Sequence, residues 1–126
     1  MILDSSALFA VILGEPQANF FLARMMDSEE LEISAGTLLE ARIVAWRRNV
    51  EADLEALLSA LSPTVVPFDT ELSNLAFEAY RSFGPPHPAR LNFGDCFSYA
   101  TARSRGKPLL FQGDDFSQTE LGQPGA

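Results

Sequence analysis

One cysteine, Cys96, and one histidine, His87, stand in a chain of 126 residues. A lone thiol excludes an intrachain disulfide framework, so the core must hold the fold, and a reducing cytoplasm is the expected setting. The same scarcity excludes a Cys/His zinc site, because neither residue has a second soft ligand at ligand spacing. Long apolar runs are missing as well: none approaches the roughly 18 residues of a membrane span. The opening Met-Ile-Leu-Asp has no basic stretch and reaches an acid at position 4, so neither signal peptide nor membrane anchor is expected. Basic charge is also in short supply. Nine Lys and Arg stand against seventeen Asp and Glu, a net charge of −8, which argues against holding nucleic acid by a general basic surface. With a nucleic-acid partner, something other than side-chain charge must offset the phosphates.

What is present is enough for one domain. At this length about two-thirds of the unfolded surface can be buried, while two halves would each be too small. The expected unit is residues 1–121, with 122–126 a frayed tail. Ile2-Leu3 reads as a short buried strand. Asp4-Ser5-Ser6 forms a polar corner, and the apolar helix Ala7 to Leu13 is closed by Gly14. Pro16 suits the first turn of a second helix whose apolar side is Phe20, Phe21, Met25 and Met26. Leu31-Glu32-Ile33 is strand-like, and Ser34 caps a helix from about Gly36 to Asn49 that carries Glu40. Leu54, Leu57, Leu58 and Leu61 mark one face of the next helix, ended by Pro63. Val65-Val66-Pro67-Phe68 is strand-like, and its proline places it near an edge.

Thr70 is expected to cap the following helix. A non-helical Gly84–Arg90 stretch rich in proline delivers Asn92-Phe93-Gly94-Asp95 to the start of another helix. Pro108 to Phe111 is the last strand, and Gln112-Gly113-Asp114-Asp115-Phe116 lies just beyond it. Strands alternating with helices imply a three-layer α/β/α sandwich around a mainly parallel sheet of four or five strands. Sites in such sheets lie outside the carboxyl ends of the strands.

That rule singles out the acids. Asp4 and Asp114-Asp115 each follow a strand, while Asp95 and Glu40 sit early in helices. Taken singly, such a carboxylate caps a helix or faces solvent. Together, converging within a few ångströms, they would raise one another's pKa unless a cation lay among them. An all-oxygen set suits Mg²⁺ or Mn²⁺, and a carboxylate site with no nucleotide loop suggests metal-assisted phosphodiester hydrolysis.

The opening Met1 to Leu8, the helix-borne Glu40, the run Leu91 to Ala100 around Gly94-Asp95-Cys96-Phe97, and the segment Leu109 to Leu121 resemble the PIN domain. More narrowly, they resemble VapC-type toxins of bacterial type II toxin–antitoxin modules. The resemblance implies a Mg²⁺- or Mn²⁺-dependent endoribonuclease cutting tRNA, rRNA or mRNA. It further implies a homodimer restrained by a cognate VapB-like antitoxin. Carried over residue by residue, the catalytic and metal-binding acids are Asp4, Glu40, Asp95 and Asp115. The family pattern of Thr or Gly, any residue, Asp falls on Gly113-Asp114-Asp115 and leaves Asp114 in the variable position. Two other readings stand beside this one: a catalytically silent PIN-like binding module, and a phosphoacceptor receiver domain. The receiver needs an acidic pair after the first strand, where this chain has a lone Asp4.

Supporting candidates follow. Ser5 either positions metal-bound water or phosphate, or caps a helix. Ser98, three residues after Asp95, could orient that acid; Asn92 either caps the helix or contacts the site. Arg90 and Arg42 are candidate RNA contacts, while the group including Arg103, Arg105 and Lys107 is either a solvated face or a local phosphate grip. His87 is read as loop packing or a phosphate contact, and Cys96 as a small buried hydrophobe. Phe20, Phe21, Trp46, Phe77 and Phe83 are read as core or subunit contact.

Overall fold

The computed structural model describes residues 1–121; the expected frayed tail, 122–126, lies outside them. The elements run β1 (Ile2–Leu3), α1 (Ser5–Ile12), α2 (Ala18–Asp27), β2 (Glu32–Ser34), α3 (Ala35–Arg47), α4 (Glu51–Leu61), β3 (Thr64–Val66), α5 (Thr70–Phe83), α6 (Phe93–Arg105) and β4 (Leu109–Leu110). The four strands pair in the order β3-β2-β1-β4, every pair parallel. Pro67 follows β3, which is an edge strand as its proline requires.

Strand alternation splits the core in two. Ile2 and Leu109 point to one side, into a cluster with Leu72, Ala76, Ala79 of α5 and Tyr99, Ala100 of α6. Leu3 and Leu110 point to the other, among Ala7, Leu8, Phe21, Met25, Ala41, Ala45, Leu54 and Leu58 of α1 to α4. A sheet buried on both faces, with helices over each, is the expected three-layer sandwich. Each buried leucine-sized side chain contributes roughly 1.5–3 kcal/mol through burial, so the two clusters supply the stability that no disulfide provides.

Several boundaries differ from the sequence reading, for local reasons. Asp69, not Thr70, caps α5, its Oδ1 accepting the Leu72 N–H at 2.9 Å, because a carboxylate one residue earlier reaches the same orphan donor. Pro16 lies ahead of α2, whose first residue is Ala18. On α2 only Phe21 and Met25 are buried, while Phe20 and Met26 are exposed, since only one face of the helix packs inward, mainly against α1. Trp46 and Phe77 are not core: they are exposed on α3 and α5.

The edge of the sheet where the strands begin carries a feature absent from the sequence reading. Glu32, on β2, is buried and forms ion pairs with Arg105 and Lys107, and Lys107 also reaches Glu30. Arg103 pairs with Glu120. The basic group at the end of α6 and just beyond it is therefore occupied by intramolecular ion pairs and does not form a free phosphate grip.

Candidate active site

The opposite edge, where the strands end, gathers the acids. Asp4 leaves β1 and caps α1, its Oδ2 accepting the Ser6 N–H at 3.1 Å and the Ser6 hydroxyl at 2.6 Å. The Ser6 oxygen itself accepts the Gln112 N–H at 3.0 Å, which ties the end of β4 to the start of α1. Asp4 Oδ1 accepts the Ser98 hydroxyl of α6 at 2.6 Å. Ser98 thus orients an acid, but the acid is Asp4 from β1 and not its own neighbour Asp95.

Glu40 comes from α3, which Ser34 caps through the Gly36 N–H. Ser5 is no cap: its hydroxyl donates to Glu40 Oε1 at 3.1 Å, linking the first helix to the third. Burial, then the charge of Asp4, raises the Glu40 carboxyl above its ordinary range, and the Ser5 hydrogen bond offsets part of this. Gly94, at the start of α6, is packed against this side chain; a Cβ built there would lie 1.8 Å from Glu40 Oε2.

Asp95 belongs to a capping box. Asn92 Oδ1 accepts the Asp95 N–H at 2.9 Å, and Asp95 Oδ2 accepts the Asn92 N–H at 3.0 Å, so Asn92 is a cap. Asp95 is buried, and its carboxyl is pushed up to about 7. Desolvation is the main cause; the charges of Asp115 and Asp4 add to it, and the Asn92 backbone bond opposes it. Of the two neighbouring acids beyond β4, Asp115 is the one whose charge bears on Asp95. Asp115 is exposed, and the buried Phe116 beside it packs edge-on against Phe111 with ring centroids 5.1 Å apart.

The four acids therefore share one edge, in electrostatic reach of one another, but they are not the tight cluster expected from the sequence. Among the described residues no three carboxylates, histidines or cysteines stand close enough to form a ligand group as they are. Three of the acids are held by their own partners: Asp4 by hydroxyls, Glu40 by Ser5, Asp95 by its cap. The donor set is nonetheless all oxygen and mutually repelling, which fits a hard divalent cation.

The remaining candidates separate cleanly. Cys96 is buried and donates to the Asn92 carbonyl at 3.2 Å, and burial with the Asp95 charge pushes its thiol up to about 11, so it is inert packing. His87 Nδ1 accepts the Ala89 N–H at 3.0 Å, and its ring stands edge-on to Phe83. Arg90 is exposed in the loop before α6, with φ of 51°. Arg42 forks onto Glu55 of α4 at 2.9 and 3.4 Å, turned to a neighbouring helix. Asp114 is exposed; its backbone carbonyl takes the Ser117 hydroxyl at 2.7 Å. Sequence reasoning missed Ser6, Thr37 and Gly94. Thr37 is buried with its hydroxyl 3.1 Å from that of Ser98, and its three-residue spacing from Glu40 was the available signal.

A parallel sheet between helical layers, with four carboxylates ranked along the carboxyl ends of its strands, defines an acid-edged α/β domain suited to a hard divalent cation. The PIN domain pattern matches residues 1–121, and this chain belongs to the PIN-domain family. It is 38% identical over 125 residues to "Ribonuclease VapC" of Mycolicibacterium smegmatis, covering 96% of this chain and 97% of that one. It is 36% identical over 126 residues to "Ribonuclease VapC42" of Mycobacterium tuberculosis, covering 96% of each. The fold is similar to a toxin–antitoxin complex from Klebsiella pneumoniae, with TM-score 0.75, 17% identity and coverage of 99% of this chain and 97% of that one. It is also similar to VapC20 of Mycobacterium tuberculosis, described as a sarcin–ricin loop cleaving toxin, with TM-score 0.73, 20% identity and coverage of 92% of each chain.

Proposed function

We propose that this chain is a VapC-type endoribonuclease, the toxin of a toxin–antitoxin module, hydrolysing RNA phosphodiester bonds at the strand-end acids. The observation that carries this reading is Asp95: a buried carboxyl pushed up to about 7, with Asp115 and Asp4 acting on it from two other chain segments. Such an arrangement is costly without a cation, and divalent-metal dependence is a general property of the family. Asp4, Glu40, Asp95 and Asp115 would hold Mg²⁺ or Mn²⁺. A bound divalent ion would supply charge neutralisation at the scissile phosphate and acidify an attacking water. The protein's part is to aim the carboxylates: Ser98 and Ser6 fix Asp4, Ser5 fixes Glu40, and the Asn92 cap fixes Asp95. Arg90, exposed ahead of α6, contributes a phosphate contact.

Asp4→Asn should abolish RNA cleavage while the circular dichroism spectrum stays that of the parent, and EDTA should do the same. Full cutting by the variant, or in EDTA, would overturn the proposal. Sequencing 5′ ends after brief induction would identify the RNA and the cleavage position. A VapB-like antitoxin encoded beside this chain should co-purify with it, presenting a basic side chain to the acids; consistent failure to co-purify overturns that part. A homodimer follows from the same family reading and is checked by sedimentation of the purified chain.

A further inference from the structure

The two oxygens of Asp4 are held by two separate donor relays, and the second leads to a residue that no step above uses. On one side the Gln112 N–H donates to Ser6 Oγ, so the single Ser6 proton is directed to Asp4 Oδ2. On the other, Ser98 Oγ lies 2.6 Å from Asp4 Oδ1 and 3.1 Å from Thr37 Oγ1. A hydroxyl has one proton, and an ionised carboxylate only accepts. The Ser98 proton is therefore committed to Asp4, and the Thr37–Ser98 contact runs from Thr37 as donor to Ser98 as acceptor. Both side chains have 0% exposure, so solvent offers neither hydroxyl an alternative.

We infer that Thr37 is a positioning residue for the acidic site, acting through Ser98 to hold Asp4 in one orientation with Oδ1 left one acceptor position for a cation. The inference rests on the reading of Asp4 as a metal ligand. Oδ2 already takes two donors from Ser6, whereas Oδ1 takes one. The bland alternative is that a helical threonine merely satisfies itself locally. Thr101 does so, donating to the Phe97 carbonyl four residues back at 2.8 Å. Thr37 instead pairs with a hydroxyl on another helix. The spacing matches on both sides: Thr37 precedes Glu40 by three residues on α3, and Ser98 follows Asp95 by three on α6. The hydroxyl–hydroxyl contact thus adds a polar link between two acid-bearing helices, which Ser98 carries on to the end of β1.

The test is Mn²⁺ titration by calorimetry on the purified chain, without RNA, using Ser98→Ala, Thr37→Val, Thr37→Ser and Asp4→Asn. Loss of a partner that orients a metal ligand typically costs about 10–100-fold in affinity. Ser98→Ala should weaken Mn²⁺ binding within that range, and Thr37→Val should weaken it by a smaller factor at an unchanged melting temperature. Thr37→Ser, which keeps the donor, should restore it. Parent-like affinity in Thr37→Val beside lost binding in Asp4→Asn overturns the relay and leaves the metal reading intact. Parent-like affinity in Asp4→Asn overturns the metal reading and this inference with it. A fall in Mn²⁺ affinity only in step with a fall in melting temperature, shared by Thr37→Ser, marks plain packing and overturns the inference too.

Discussion

Glu40 and Gly94 are pressed together: the carboxylate of one occupies the space a side chain on the other would need, with 1.8 Å between Glu40 Oε2 and a Cβ placed on Gly94. The α6 backbone can pass this close to α3 only because residue 94 has no side chain. The displaced atoms would be the tip of a flexible side chain, so the fold can absorb the change while the acid cannot keep its place. Gly94→Ala is expected to retain the parent's melting temperature within a few degrees and to lose about 100-fold in RNA cleavage, the scale set by roughly 1 Å of misplacement. Single-turnover rates on a fixed RNA check this.

Asp95 sets a pH dependence of stability. A carboxyl raised to about 7 in the folded state, from an ordinary value near 3.8, binds its proton more tightly folded than unfolded. Between those two values stability falls as pH rises. In EDTA the melting temperature should therefore decline from pH 5 to pH 7.5. Asp95→Asn, whose side-chain oxygen can still accept the Asn92 N–H, should flatten that decline and melt higher than the parent at pH 7.5. A parent profile that rises over this window would contradict the assignment.

The two neighbouring acids beyond β4 should behave differently. Both are exposed, but the charge of Asp115 acts on Asp95, whereas Asp114 does not figure among the charges acting there. Asp115→Asn should reduce cleavage by at least about 100-fold, in the range seen when one preorganised electrostatic group is removed. Asp114→Asn should stay within a few-fold. Equal losses would show that the fourth acid is misassigned.

Phe116 anchors that loop. It is 1% exposed and immediately follows Asp115. Phe116→Ala should cost about 3–5 kcal/mol in chemical denaturation, the usual range for a buried phenylalanine. Phe116→Leu should cost less and still lower activity, since the anchor also aims Asp115. Activity unchanged in the leucine variant would remove the aiming role.

RNA affinity should depend weakly on salt. Four of the seventeen acids are assigned to the proposed site, which leaves thirteen against nine basic residues, and Arg42, Arg103, Arg105 and Lys107 are engaged in ion pairs. Arg90→Ala should weaken binding and reduce the salt slope by about 1, as expected for one phosphate contact. Arg42→Ala should leave the slope unchanged, because Glu55 holds that guanidinium.

The sequence by itself determined the alternation of strands and helices, the buried sheet, and which acids lie at strand ends, because periodicity and turn chemistry are local. It placed β3 at an edge from Pro67. Cys96 was legible as packing for the same reason: it sits on the inward face of its helix beside Phe97. Only the tertiary structure decided how each acid is held. The Ser98–Asp4 bond joins residues 94 positions apart, and Ser5–Glu40 joins residues 35 apart. No local rule points a serine on α6 toward β1 in preference to the aspartate three residues before it; that choice is made by the packing of α6 across the sheet. Likewise the basic residues that close α6 and follow it looked free in sequence, and the fold turned Arg105 and Lys107 onto Glu32, because a buried carboxylate must be paired wherever the topology leaves it.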